Sequence, residues 1–309
     1  MKRIYRVNLE TATETELNEL RQQYMKNPMS LLEVDENDAK HLDEKIDIFL
    51  QYAHNYGFGG YVIGLSGGLD SSLCVILAAE AIGKENVYGM LLPSKFTSEE
   101  DIEDALEAAE MIGVGVNDYL KVRDNFDEVI GQTMMMTEIP KGHPKWKLMA
   151  ANNHARERMK ILRGRAMSLN YIVLGTTNLT EAWLGYATIA GDAYHGVDIE
   201  PIKQLPKTSE RMYARIKGVS ENVLKKSPSA GLWDGQTDES ELSESVGKKV
   251  TYELIDRIMA GLMLGLSEED IIKANNQKEI MLETILGLKA IAKKNEFKGK
   301  PEPFADLSG

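Results

Sequence analysis

The chain has 309 residues, 43% hydrophobic and 27% charged, which is enough apolar material for a sizeable core beneath an ordinary polar surface. A net charge of −12 excludes nucleic acid and an anionic membrane surface as main partners, because both need a cationic face. Cys74 is the only cysteine, so there is no internal disulfide and no cysteine-rich zinc site, and a reducing cytoplasm is the expected compartment.

The basic start, Met1 to Arg6, is followed by no apolar stretch of the signal-peptide kind. No run nears the roughly 18 apolar residues of a membrane helix. Residues 1–30 are polar and weakly periodic and read as an extension with a short helix. From Glu36 to about Tyr56, Leu42, Ile46, Phe49, Leu50 and Ala53 recur at helical spacing, and Gly57, Gly59 and Gly60 end that helix. The apolar run Tyr61–Leu65 reads as a strand, and an apolar helix follows from about Leu69 to Ile82.

The alternation continues with Val87–Leu92 as a strand, Ser98–Ile112 as an amphipathic helix and Tyr119–Val122 as a strand. A helix over Asn152–Leu169, the strand Tyr171–Gly175 and a helix from Asn178 complete the pattern. Such alternation predicts an α/β fold: a doubly wound, mostly parallel sheet with helices on both faces, binding ligands at the strands' carboxyl ends. Residues 124–150, with Met134–Met136 and a Pro-Gly-rich turn, and residues 225–250 read as long loops of the kind that form lids. Beyond Thr251 the chain is helical, Ser267 caps one helix with Asp270 at its third position, and the Gly/Pro-rich tail from Gly299 is expected to be mobile. The expected division is an extension over 1–30, the α/β domain over 31–250 and a helical C-terminal extension and tail over 251–309.

The strongest chemical signal is Ser66-Gly67-Gly68-Leu69-Asp70-Ser71-Ser72, set between a predicted strand and a predicted helix. Glycines allow close approach of backbone N–H groups to an anion, the helix start adds unpaired donors, and three serines add hydroxyls. Asp70 beside phosphates is repulsive unless a cation lies between them, so the loop implies Mg²⁺. No Gly-Lys-Ser/Thr follows at the Walker spacing.

This loop, entered through Gly64 and Leu65, resembles the pyrophosphate-binding loop of the N-type ATP pyrophosphatases, enzymes that pass AMP from ATP to a substrate oxygen. Downstream, Asn152-Asn153-His154-Ala155-Arg156-Glu157-Arg158-Met159 is similar to a helix of the ammonia-dependent NAD synthetases. Gly175-Thr176-Thr177-Asn178-Leu179-Thr180-Glu181, Gly191-Asp192, Lys207-Thr208, the run Ser227–Glu239 and Lys294–Lys298 resemble further segments of that family, in order from about residue 36 to 303.

The resemblance implies ATP-driven amidation of deamido-NAD by ammonia through an acyl-adenylate. It implies ATP contacts from Gly64 through Ser72 with Thr176, Lys207 and Ser229, and Mg²⁺ on Asp70 and Glu181. Arg156, Asp192, Asp198 and Lys298 would contact deamido-NAD, with Asp70, Lys207 and Arg156 carrying the chemistry. It also implies a homodimer. With no room for a glutaminase domain, ammonia would come free or from a separate glutaminase subunit. Two departures stand out: Ile189 replaces a lysine found in many relatives, and Ala193-Tyr194-His195-Gly196 lengthens the next connection. His195 either restores a donor or belongs to a tolerated surface insertion.

Overall fold

Four short strands, β1 (Tyr61–Gly64), β2 (Val87–Met90), β3 (Gly115–Val116) and β4 (Ile172–Leu174), form one parallel sheet in the order β3-β2-β1-β4. In this computed structural model residues 1–193, 195–229, 237–275 and 280–300 are described, and for 120–127 the backbone alone. Tyr61 stands opposite Val87 on one side and Ile172 on the other. Leu174 also bridges Ile199, which extends the ladder past β4.

β1 is buried on both faces, as a central parallel strand requires. Tyr61 and Ile63 join a core with α2 (Glu36–Leu50), α4 (Leu69–Ile82), α5 (Glu99–Ile112) and α9 (Lys207–Ile216), while Val62 joins Met159 and Leu162 of α7 (Trp146–Leu169) on the other side. The remaining helices are α1 (Glu14–Lys26), α3 (Tyr52–Asn55), α6 (Tyr119–Met135), α8 (Leu179–Leu184), α10 (Glu221–Lys225), α11 (Asp238–Val246), α12 (Tyr252–Met263), α13 (Glu268–Ala274) and α14 (Leu282–Asn295). Among the described residues no helix is long and apolar enough to cross a membrane.

A further apolar cluster unites both ends of the chain. Leu20 and Tyr24 of α1 are buried with Ile255 and Ile258 of α12, Ile271 of α13 and Ile285 of α14. Arg3 supports this end: its guanidinium binds Asp38 at 2.7 Å and the Ser30 carbonyl at 2.6 Å. Ser267 caps α13 as its sequence predicts.

Three expectations are corrected, the first being residues 225–250, read as a long loop, which hold helix α11 over Asp238–Val246. Tyr119–Val122 is helical and opens α6, because the third strand comes earlier, at Gly115–Val116. Asn117 ends that ladder by donating to the Leu91 carbonyl at 3.0 Å and accepting from the Leu91 N–H at 2.8 Å, so no partner edge remains for the following residues. Residues 124–150 are mostly helix, with only 136–145 between α6 and α7. Met134 is buried there beside Ile130, while Met135 and Met136 are exposed. Residues 301–309 of the predicted mobile tail lie outside the described residues.

Candidate active site

The chain leaves β1 toward β2 and later returns to β1's other side as β4, so a crevice opens where the carboxyl ends of β1 and β4 diverge. Both strands deliver chemically loaded turns there. After β1, Gly67 takes φ +75°, and a Cβ on it would stand 2.1 Å from the Asp101 carbonyl of α5. Glycine is obligatory at that step. Gly68 then starts α4 with no side-chain cap, leaving the helix's leading N–H groups to a ligand. The Ser66 and Ser71 hydroxyls lie 3.1 Å apart, and the Ser71 and Ser72 hydroxyls both reach the Gly68 carbonyl, at 3.2 and 2.9 Å.

After β4, Asn178 caps α8, with its Oδ1 accepting from Glu181 N at 2.9 Å, and its Nδ2 donates to Asp70 Oδ1 at 2.8 Å. Asp70 also pairs with Lys207, the first residue of α9, whose ammonium lies 3.2 Å from Glu210. Lys207 and Glu210 are fully buried. Burial opposes ionisation of Asp70, but Lys207 and Asn178 outweigh it and hold its carboxyl below the ordinary value. Burial and then the Asp70 charge push Glu181 and Glu210 well above theirs. For Lys207 burial acts downward, yet Asp70, Glu210 and Glu181 raise it, so it stays cationic.

Asp70, Glu181 and Lys207 line a cavity of about 340 Å³, within the range of small-ligand sites. Of the residues expected at ATP, Gly64 through Ser71, Thr176, Lys207 and Ser229 line it, with Glu181 and Asp192. Ser72 does not. Residues 230–236 of the matching loop, and Tyr194, lie outside the described residues.

The expected substrate residues divide. Asp198 and Lys298 line a second cavity of about 450 Å³, with His195, Phe49 and Tyr52, and Val197 forms a wall of both cavities. Asp198 accepts from Arg163 and from Val173 N, each at 2.7 Å. Lys298 donates to the carbonyls of Gly185 and Ala187. Arg156 lines neither cavity: it is exposed, and its Nε donates to the Ile189 carbonyl at 3.2 Å.

Sequence reading passed over four lining residues. Arg158, two positions beyond Arg156, faces the first cavity and donates to the Leu92 carbonyl, and Arg211 of α9 lines the same space. Lys226 lines it and bridges to Asp101 of α5 at 2.8 Å. Asp238, held by Tyr252 at 2.9 Å, is the fourth, with its carboxyl pushed up to about 6, chiefly by burial. Arg158 and Asp238 fall within segments that resemble the family, without being singled out there, and Lys226 and Arg211 carry no signal beyond the basic composition of their surroundings.

A glycine turn feeding a helix at the switch point of a parallel sheet, with a buried lysine held among carboxylates beside it, places this protein in the nucleotide-binding α/β class. The chain belongs to the NAD synthase family, whose sequence pattern matches residues 39–302. It is 37% identical over 250 residues to the NH(3)-dependent NAD(+) synthetase of Methanocaldococcus jannaschii, covering 80% of this chain and 89% of that one. The structure is similar to the NMN synthetase of Francisella tularensis, with TM-score 0.70 and 28% identity over 87% of this chain and 99% of that one. It is also similar to the NH3-dependent NAD synthetase of Campylobacter jejuni, with TM-score 0.66 and 27% identity over the same shares.

Proposed function

We propose that the chain amidates deamido-NAD with ammonia at the expense of ATP, giving NAD, AMP and pyrophosphate. The observation that carries the reading is the meeting of the Ser66–Ser71 turn, Thr176 and buried Lys207 in one cavity at the β1/β4 crevice. The triphosphate would sit on the α4 helix start, with Ser66 and Ser71 donating and Lys207 opposing the charge that develops as pyrophosphate departs. Arg158 and Arg211 would add cationic contacts to phosphate oxygens.

Asp70 and Glu181 would hold Mg²⁺. Both line the cavity, and burial followed by the charge of Asp70 disfavours ionisation of Glu181, which a hard divalent ion between oxygen donors would offset. Phosphate oxygens of ATP would share the coordination. When bound, the ion neutralises charge on the phosphates.

The nicotinate carboxylate would attack the α-phosphorus of ATP, forming an acyl-adenylate and releasing pyrophosphate, and ammonia would then displace AMP. Asp198 and Lys298, which line the cavity behind Val197, are the proposed dinucleotide contacts in that space. Asp192 would meet the dinucleotide from the first cavity, and Arg156, exposed and lining neither, would reach it only from outside both. The segment over 225–245 would exclude water from the reactive adenylate; its neck is fixed by a hydrogen bond from Asp238 N to the Pro228 carbonyl at 2.9 Å. The working form is a cytoplasmic homodimer fed by free ammonia or by a separate glutaminase.

Incubation with ATP, Mg²⁺, ammonium and deamido-NAD tests this. Equal yields of NAD, AMP and pyrophosphate are expected. ADP with inorganic phosphate, or turnover of nicotinate mononucleotide in preference to the dinucleotide, would overturn it.

A further inference from the structure

Helix α9 carries Lys207 into the cavity, yet its own sequence gives it no cap. Pro206, at the N-cap position, has no side-chain acceptor to offer. Side chains from elsewhere take the leading N–H groups instead. Lys207 N donates to Thr180 Oγ1 at 2.9 Å, and Thr208 N donates to Asp256 Oδ2 at 2.7 Å. The Thr180 hydroxyl in turn donates to the other Asp256 oxygen.

Thr180 and Asp256 are fully buried, so water does not stand in for either. A carboxylate at a helix N-terminus also meets the positive end of the helix dipole. Thr180 sits on α8 immediately before Glu181, and Asp256 sits on α12. One carboxylate from the C-terminal helices therefore ties together the starts of the two helices that bear Lys207 and Glu181.

We propose that Asp256, acting through Thr180, is a positioning residue: it sets the first turn of α9 against α8 and so keeps Lys207 directed at Asp70 and the phosphates. A local cap would satisfy the same N–H groups, but it would not fix α9 relative to α8. The shared Thr180–Asp256 bond does both. This inference rests on the reading of the cavity as an ATP-cleaving centre.

Thr180→Val removes the hydroxyl while keeping the shape, and Thr180→Ser keeps it. Thr180→Val is expected to lower kcat for NAD formation at least tenfold, with KM for deamido-NAD within twofold of the parent. Thr180→Ser is expected to recover kcat to within threefold. A folded Thr180→Val protein with a lower Tm but parental kcat, or a Thr180→Ser protein as slow as Thr180→Val, would overturn the proposal. If Thr180→Val does not fold, Asp256→Asn gives the same readout: a tenfold loss of kcat at unchanged KM supports the proposal, and parental kcat overturns it. A parent protein that makes no NAD would count against the functional reading alone. Calorimetric MgATP affinity then tests the clamp, with Thr180→Val expected to bind about tenfold more weakly than Thr180→Ser and equal affinities overturning it.

Discussion

Lys207, itself fully buried, forms an ion pair with Asp70, a partly exposed residue 137 positions earlier in the chain. The Lys207 side chain is 1% exposed, and its ammonium has Glu210 as a second acidic partner at 3.2 Å. A cation so enclosed is both a structural and a chemical element, and the two roles can be measured separately.

Lys207→Met leaves Asp70 and Glu210 facing each other without a cation. Breaking a buried pair from one side costs roughly 3–5 kcal/mol. Urea unfolding at neutral pH should show a loss of about that size, and NAD formation by the folded fraction should fall at least a hundredfold. Unchanged stability would mean that Lys207 does not balance the buried acids.

Gly67→Ala puts a methyl group where the Asp101 carbonyl stands and forces an L-residue to φ +75°. The turn must open, so ATP affinity measured by calorimetry should drop at least tenfold. The second core, remote from the turn, should keep the protein folded.

Asp238 and Asp256 are both pushed up to about 6, chiefly by burial. A carboxyl with a raised folded pKa binds more protons folded than unfolded, so its contribution to stability falls as pH rises from about 4 to about 6 and is level above that. Asp70, held low, acts in the opposite sense: its contribution is lost only as pH falls below the ordinary carboxylate range. Asp238→Asn should therefore be near neutral in stability at about pH 4 and stabilising by about 1–3 kcal/mol above pH 6. An equal effect at both ends would contradict the assignment.

Arg3→Ala should cost roughly 1–3 kcal/mol, because buried Asp38 loses its 2.7 Å partner but keeps Arg6 at 2.9 Å. The activity of folded molecules should be unchanged, since neither residue approaches the cavity. Urea midpoints and kcat measured on the same preparation check both halves.

The loop after β1 is legible in the sequence because all its information is local: a strand, two glycines, three serines and an acid in seven residues. Thr176 and Glu181 are legible only through the resemblance, because a lone threonine or a lone acid at a helix start carries no such signal by itself. Arg156 and Arg158 are not separable, because a step of two residues turns a side chain to another face of α7 and that helix is polar on several faces. Tyr119–Val122 is a short, mostly apolar run that a strand and a helix start share, and only Asn117, by taking Leu91's backbone groups, shows why the ladder has already ended. Asp256 and Thr180 reach α9 from distant helices, so nothing near Pro206 betrays them. Residues 1–30 look like an extension because Ile4, Leu20 and Tyr24 are too widely spaced to signal a core until the C-terminal helices supply its other half.

The central claim is transfer of AMP from ATP to a carboxylate oxygen. Deamido-NAD carrying heavy oxygen in its nicotinate carboxylate, turned over with ATP and ammonium, tests it most directly by mass spectrometry of the products. The label should appear in AMP, one atom per NAD formed, with none in pyrophosphate. Label in inorganic phosphate, or AMP free of label, would contradict it.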